Sequence, residues 1–290
     1  MRFSEMYCDR TFGLSFELFP PKTEAGFEAL YRHTAELVQF DPHVITCTYG
    51  AGGTTREKTL DVVAEVRSRF GCSVAAHLTC VGSTVEMLRE YLRNAENRGV
   101  DNIVALRGDP PAGTARFSAQ PGGLTYANEL VELLRREFPG FGVAVAGYPE
   151  THREAPSPDS DLHNLKRKVA AGADVVITQL FFDNEDFFRF RDRCESMAIS
   201  VPIVPGLLPI TNLKQIQRIT SLCGARMPSE LLDALEQQGE NQQKQFEVGV
   251  EFAIRQTQQL VDQQVPGIHF YVLNKSEAAS RVLRAVGLPA

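Results

Sequence analysis

Four short stretches carry side chains whose types and spacing could do chemistry. In "LSFELFPP" (14–21) Glu17 is a lone carboxylate in an apolar run that stops at two prolines. Glutamate is rarely buried without a partner, so this one is a candidate acid or base. In "RGDPP" (107–111) Arg107 and Asp109 flank Gly108, although Asp before Pro also begins ordinary turns. "GYPETH" (147–152) supplies Tyr148, Glu150 and His152. "DLHNLKRK" (161–168) is the most informative. On a helix, Leu162, Leu165 and Val169 form a stripe that can pack, while Asp161, Asn164 and Lys168 line the adjacent stripe with Arg167 at its margin. That face is either solvated and salt-bridged or a ledge whose cations meet a ligand's phosphates and whose Asp161 and Asn164 take hydroxyls.

Other candidates are weaker. His77 follows Val74, Ala75 and Ala76 and reads equally well as a core histidine or a functional one. "YGAGGTTR" (49–56) is glycine-rich after a strand but lacks both the lysine of a phosphate loop and the dinucleotide spacing, so a flexible loop is expected. The six cysteines are scattered with no metal-ligand spacing, which points to reduced thiols in a cytoplasmic protein and to no metal.

Positioning these groups requires a regular scaffold. Strand-like runs occur at 14–18, 43–49, 73–80, 102–107, 142–148, 174–182, 202–208 and 267–273. Helical patterns separate them, near 24–39, 56–70, 84–98, 125–138, 160–171, 184–198, 212–222 and 276–285. An extra helical region at about 228–262, rich in Gln and Glu, precedes the last strand and is expected to expose much of its surface. Eight β/α units imply parallel pairing with right-handed crossovers. The expected fold is α/β, a (β/α)8 TIM barrel in a single domain over 1–290 with residues 1–12 as an N-terminal arm; an open doubly wound sheet is the alternative. In a barrel the site lies at the strand C-termini, where Glu17, Thr48, Tyr49, His77, Arg107, Asp109, Tyr148, Glu150, His152, Gln179, Asn274 and Lys275 all fall.

The bulk properties narrow the function. Apolar residues make up 43% of 290, enough for a substantial core, and the net charge of −6 disfavours nucleic-acid or anionic-membrane binding. No apolar run reaches spanning length, and the first residues lack the apolar core of a signal peptide.

Taken together, "SFELFPPKT", "ITCTYGAGG", "AAHLTC", "NIVALRGDPP", "GYPETH", "DLHNLKRK", "ITQLFFDN", "VPGLLPI" and "HFYVLNKSE" resemble the methylenetetrahydrofolate reductase family. The resemblance covers nearly the whole chain and implies a (β/α)8 barrel that binds FAD. It implies FAD contacts from Thr48, His77, Leu106, Arg107, Gly108, Asp109, Tyr126, Ala127, Ala146, Tyr148 and His152, completed by Asp161, Asn164, Arg167 and Lys168. Folate contacts would come from Glu17, Asp109, Gln179, Gln215 and Lys275. Leu18, Leu180, Ile219 and Lys275 depart from the commonest family pattern, and Lys275 would give a folate carboxylate a point charge in place of a bidentate grip.

The implied reaction has two half-reactions in ping-pong order: NAD(P)H reduces FAD, then 5,10-methylenetetrahydrofolate takes the hydride and leaves as 5-methyltetrahydrofolate, a methyl source for methionine. Glu17 would supply the proton that opens the folate ring, since an apolar cleft favours the neutral form of a carboxyl group. Asp109 would stay ionised near Arg107 and favour a cationic intermediate. A homo-oligomer is expected by family analogy. Two other readings stay open on the residues alone: a folate-dependent methyltransferase barrel without flavin, and a noncatalytic flavin or folate binder.

Overall fold

The computed structural model describes residues 1–7, 12–49, 56–109 and 119–288. Most of the glycine-rich segment 49–56, the prolines of "RGDPP" and most of the arm beyond residue 7 lie outside the described residues.

The described residues hold one sheet of nine parallel strands: β1 (Gly13–Leu18), β2 (Val44–Cys47), β3 (Val74–Thr79), β4 (Asn102–Leu106), β5 (Gly142–Gly147), β6 (Val175–Thr178), β7 (Ile203–Val204), β8 (Gly206–Leu207) and β9 (Gly267–Tyr271). Each of β2 to β6 pairs with its sequence neighbours, β1 joins β2 to β9, β7 pairs with β6, and β8 pairs with β9. Only Pro205 separates β7 from β8, so they are two halves of one strand and the ribbon closes at eight strand positions. Proline has no N–H to give a ladder, which breaks the strand there. Its carbonyl still accepts from the His269 amide at 2.9 Å, which ties the break to β9.

Both faces of these strands are buried, as a sheet covered by helices requires. Alternation sends Leu14, Phe16 and Leu18 of β1 outward into the layer beneath the helices, and Ser15 and Glu17 into the barrel. The lower interior is filled by Val44, Ala75, Val104, Ala144, Val175 and Val204, one from each successive strand. The predicted arm supplies the rest of that layer. Helix α1 (Phe3–Met6) inserts Phe3 and Met6 among these residues, and the Phe3 amide donates to Asn102 Oδ1 at 2.7 Å. It is a plug in the floor of the barrel.

The helices follow their sequence signals closely: α2 (Glu24–Leu37), α3 (Arg56–Phe70), α4 (Val85–Asn97), α5 (Ala127–Glu137), α6 (Pro158–Ala170), α7 (Asn184–Ser196), α8 (Leu213–Cys223) and α11 (Glu277–Val286). Thr84, Ser157 and Asn212 cap the starts of α4, α6 and α8 through their side-chain oxygens. The extra region is two helices, α9 (Ser229–Glu236) and α10 (Gln242–Asp262), which expose much of their surface as expected, while α10 also buries one face. Gln245 and Gln256 are buried because their amides serve backbone groups: Gln245 accepts from the Leu213 amide and Gln256 donates to the Phe181 carbonyl. Gly249 sits so near the loop after β8 that a Cβ would lie 2.0 Å from the Ile210 carbonyl oxygen.

Phe3 is 2% exposed, so Phe3→Ala opens a cavity in the barrel floor. We expect it to cost about 3–5 kcal/mol of unfolding free energy, measured by urea titration. A change within error would mean the floor closes without the plug.

Candidate active site

A cleft of ≈ 510 Å³ opens at the C-terminal ends of the strands. Glu17 stands in its floor on β1, and parallel pairing with β2 and β9 sets Thr46 and Tyr271 beside it in register. Two imidazoles share one of its oxygens: His77 Nε2 from β3 lies 3.3 Å from Glu17 Oε2, and His269 Nε2 from β9 lies 3.7 Å from the same atom. His269 is anchored on its other side, with Nδ1 2.8 Å from Ser15 Oγ. Burial pulls His77 below its usual pKa, against the opposing pull of Glu17 and with help from His269. His77 therefore meets Glu17 as a neutral ring at pH 7.

Tyr271 cannot compete with Glu17 as an acid. Desolvation, and then the nearby Glu17, push its phenol well above the usual range, and its hydroxyl donates to the Thr178 carbonyl at 2.7 Å.

Most predicted residues converge. Thr48, His77, Gly108, Asp109 and Gln179 line this main cleft with Glu17. A second cleft of ≈ 340 Å³ runs off one side, sharing Leu106, Arg107, Ala146, Tyr148 and His152 with the first. Tyr126, Ala127, Asp161, Asn164, Arg167 and Lys168 line the side cleft and not the main one. Gln215 and Lys275 do not reach the main cleft; they border a small crevice behind Leu208, Tyr271 and Leu273. Gln179 spends its side-chain oxygen on the Leu180 amide at 2.9 Å, which leaves its NH2 group for a ligand.

The ledge on α6 is more internally bonded than its sequence suggests. The His152 amide donates to Asp161 Oδ2 at 2.9 Å, and Arg167 donates to Asn164 Oδ1. The Lys168 ammonium turns inward to the Ala146 carbonyl, 6.0 Å from the centre of the Tyr148 ring. Burial lowers its pKa to about 8, with Asp161 opposing. Arg107 is gripped by Glu154 through two contacts of 2.7 and 2.9 Å, and the Asp109 charge raises its pKa less than Glu154 does. Glu154 was not singled out in the sequence. Its amide also donates to His152 Nδ1, which makes that nitrogen an acceptor and leaves the proton of the neutral ring on Nε2. Burial and the Arg107 charge lower the pKa of His152.

Ser15, His269 and Tyr271 are likewise additions to the predicted set. The alternation in "GIHFYVL" places His269 and Tyr271 on one face, but their partners on β1 emerge only when the barrel closes.

Comparison with known proteins decides the family. A family model described as methylenetetrahydrofolate reductase matches residues 2–287. The chain belongs to the methylenetetrahydrofolate reductase family. It is 38% identical over 278 residues to the 5,10-methylenetetrahydrofolate reductase of Escherichia coli (strain K12), covering 95% of this chain and 90% of that one. It is 37% identical over 284 residues to methylenetetrahydrofolate reductase (NADH) 1 of Arabidopsis thaliana, covering 94% of this chain and 48% of that one. The chain thus spans about half the length of its plant relatives. Among solved structures, a Clostridium thermocellum protein described as binding two copies of 5-methyl-5,6,7,8-tetrahydrofolic acid aligns with a TM-score of 0.66 at 14% identity, covering 99% of this chain and 98% of that one. That likeness speaks for the barrel fold. No helix among the described residues is long and apolar enough to cross a membrane.

Lys168 makes a pH test possible. Below about pH 8 it is charged in both the folded and unfolded chain, so its burial penalty is present in full. Above the ordinary 10.5 it is neutral in both and the penalty is gone. Stability relative to Lys168→Met should therefore rise from about pH 8 to 10.5, by roughly 3 kcal/mol at most. Paired denaturation curves check this, and a difference flat with pH would mean that Lys168 titrates normally.

Proposed function

We propose that this protein is a flavin-dependent reductase that converts 5,10-methylenetetrahydrofolate to 5-methyltetrahydrofolate with electrons from NAD(P)H. The observation that carries the reading is the Glu17 carboxyl group in the floor of the main cleft, with His77 and His269 against one oxygen, in a chain of this family.

The residues present fit FAD. The two connected clefts offer a wide chamber and a narrower arm, and the arm brings the Arg167 and Lys168 cations beside the polar side chains of Asn128, Asp161 and Asn164. Gly108, at φ +88, brings backbone close to the chamber where a Cβ would meet Val81 Cγ1 at 2.6 Å. Tyr126, Ala127 and His152 would border the dinucleotide, while Thr48, His77, Leu106, Arg107, Ala146 and Tyr148 would surround the flavin end. Flavin, when bound, supplies the hydride chemistry.

The chain's own work is to hold, orient and move a proton. The methylene carbon of the substrate sits between two nitrogens in a five-membered ring and is a poor hydride acceptor there. Glu17 donates its proton to N10, the C–N10 bond breaks, and the N5 iminium cation that results takes hydride. Asp109, at the mouth, favours that cation through its charge. The Gln179 amide, Gln215 and Lys275 serve the folate, with the last two acting on the part that extends beyond the main cleft. The two substrates use one chamber in turn, which gives the ping-pong order. The product's methyl group would go to methionine synthesis in the cytoplasm. NADH is the donor to try first, since the Arabidopsis relative is named for it. Family analogy also supports a homo-oligomer.

Three measurements test the reading. The purified protein should carry noncovalent FAD, identified by chromatography of the released flavin; FMN, or none after supplementation, would refute that part. Asp109→Asn should keep its flavin, raise the flavin potential and slow the folate half-reaction. Equal potentials and rates would make Asp109 a turn residue. Glu17→Gln keeps shape and hydrogen bonding but removes the acid. Flavin reduction by NADH should survive, while folate reduction falls by roughly 10²–10⁴-fold in rapid-mixing experiments. Equal slowing of both halves would remove Glu17 from the role.

A further inference from the structure

The loop from Tyr148 to Ser157, between β5 and α6, carries more than His152 and Glu154. Next to them Arg153 reaches across the barrel mouth and donates from Nη1 to the carbonyls of Ser221 and Leu222, at 2.9 and 2.8 Å. These are among the last carbonyls of α8, which have no partner within the helix. The arginine stem lies over Gly224, the helix stop at φ +85, where a Cβ would come within 2.9 Å of Arg153 Cδ and Cγ. The grip is returned from the other side. Arg226, two residues past the stop, donates its main-chain amide and Nε to Glu150 of the same loop, with 2.9 Å at Nε. Its Nη2 donates to Asp186 of α7 at 2.9 Å. Arg226 is 72% exposed, but Glu150 and Asp186 are only 12% and 8% exposed. Among the described residues, removing the guanidinium would leave Glu150 only the Arg226 main-chain amide and Asp186 only Arg189, weakening the support of two largely buried carboxylates.

The helix end held in this way faces the main cleft. Ile219, Leu222 and Cys223 recur at helical spacing and all line it, together with Leu180, Leu208 and Leu273. Leu222 is 69% exposed, the highest of any large apolar side chain among the described residues. An apolar side chain fixed in the open, above a cleft and beside other apolar groups, marks a surface meant to be covered. The polar side chains of Arg107 and His152 line the same cleft.

We propose that Arg153 and Arg226 are positioning residues that clamp the end of α8 across the mouth, so that Ile219, Leu222 and Cys223 form the apolar wall against which the flat ring of the incoming substrate packs. The proposal rests on the reductase reading and adds to it a source of substrate affinity outside the groups that touch the reacting atoms. Arg153 and Glu154 are adjacent, so one short loop sets both the Arg107 side of the chamber and this wall.

The test uses the loaded enzyme with Arg153→Ala, Arg226→Ala, Arg153→Lys and Leu222→Ala. Leu222→Ala removes an exposed side chain and guards against variants that fail to fold. In each alanine variant KM for the folate should rise about tenfold, as expected for losing hydrogen bonds to a charged donor or one apolar contact. The limiting rate should fall by less than about threefold, since no group at the reacting atoms is lost. Arg153→Lys should recover part of the affinity. Thermal stability lowered with KM unchanged would overturn the proposal and leave the arginines as ordinary struts. Amide hydrogen exchange gives a reading independent of turnover. Exchange at 219–224 should quicken in both arginine variants, while the β-strands keep wild-type protection. Unchanged exchange there would overturn the clamp even if the wild type proved active. A wild type that reduces no folate, yet shows quickened exchange in the variants, would refute the reductase reading and leave the clamp standing.

Discussion

Strand β1 is paired on both edges, to β2 and to β9, and this double pairing is the constraint from which the site follows. A strand with two partners cannot slip by one residue without turning every side chain to the opposite face. The outward set, Leu14, Phe16 and Leu18, is apolar and buried under helices, so the register that buries it also commits Glu17 to the interior. A carboxylate there needs company. The imidazoles of His77 and His269 supply it, with Ser15 holding His269 from behind on the same strand. Above this layer the barrel is open, and the groups around the mouth can then differ in task from the carboxyl group beneath them.

The lower half of the barrel makes that arrangement affordable. Small and branched residues from successive strands, with Phe3 and Met6 driven up from below, fill the space beneath Glu17. The polar layer is thereby confined to one end. Side chains around it are then fixed by contacts that cross between elements: Arg107 to Glu154, Lys168 to the Ala146 carbonyl, and Tyr271 to the Thr178 carbonyl. Each ties the end of one strand to another strand, to a helix or to a neighbouring loop.

Much of this was legible in the chain itself, and what escaped did so for definite reasons. Alternation in "LSFEL" singled out Glu17, and the helical stripe 161, 164 and 168 placed the α6 ledge, because both are local periodicities. The eight units were visible, but not the break at Pro205, because a proline inside an apolar run leaves open whether the strand resumes beyond it. The inward turn of Lys168 and the pairing of Arg107 with Glu154 were hidden because each depends on a partner far along the chain. Composition marked the surface of α9 and α10 correctly but could not show that Gln245 and Gln256 turn inward to satisfy buried backbone. Gln215 and Lys275 sit at strand ends and helix starts as a barrel site requires, yet the bulk of Tyr271 and Leu273 keeps their crevice apart from the main cleft.

The plug in the floor bears on how the molecule is assembled. Phe3 and Met6 precede every strand of the barrel, but the layer they complete includes Val175, Ile177 and Val204, which come much later in the sequence. Until β6 and β7 exist, the socket of the plug is incomplete. Two apolar side chains must therefore wait in water, or in the care of a chaperone, while most of the barrel is synthesised. Contacts of such long sequence separation slow folding, and here one of them spans most of the chain. A helical turn that precedes every strand in the sequence is thus among the last elements to find its place.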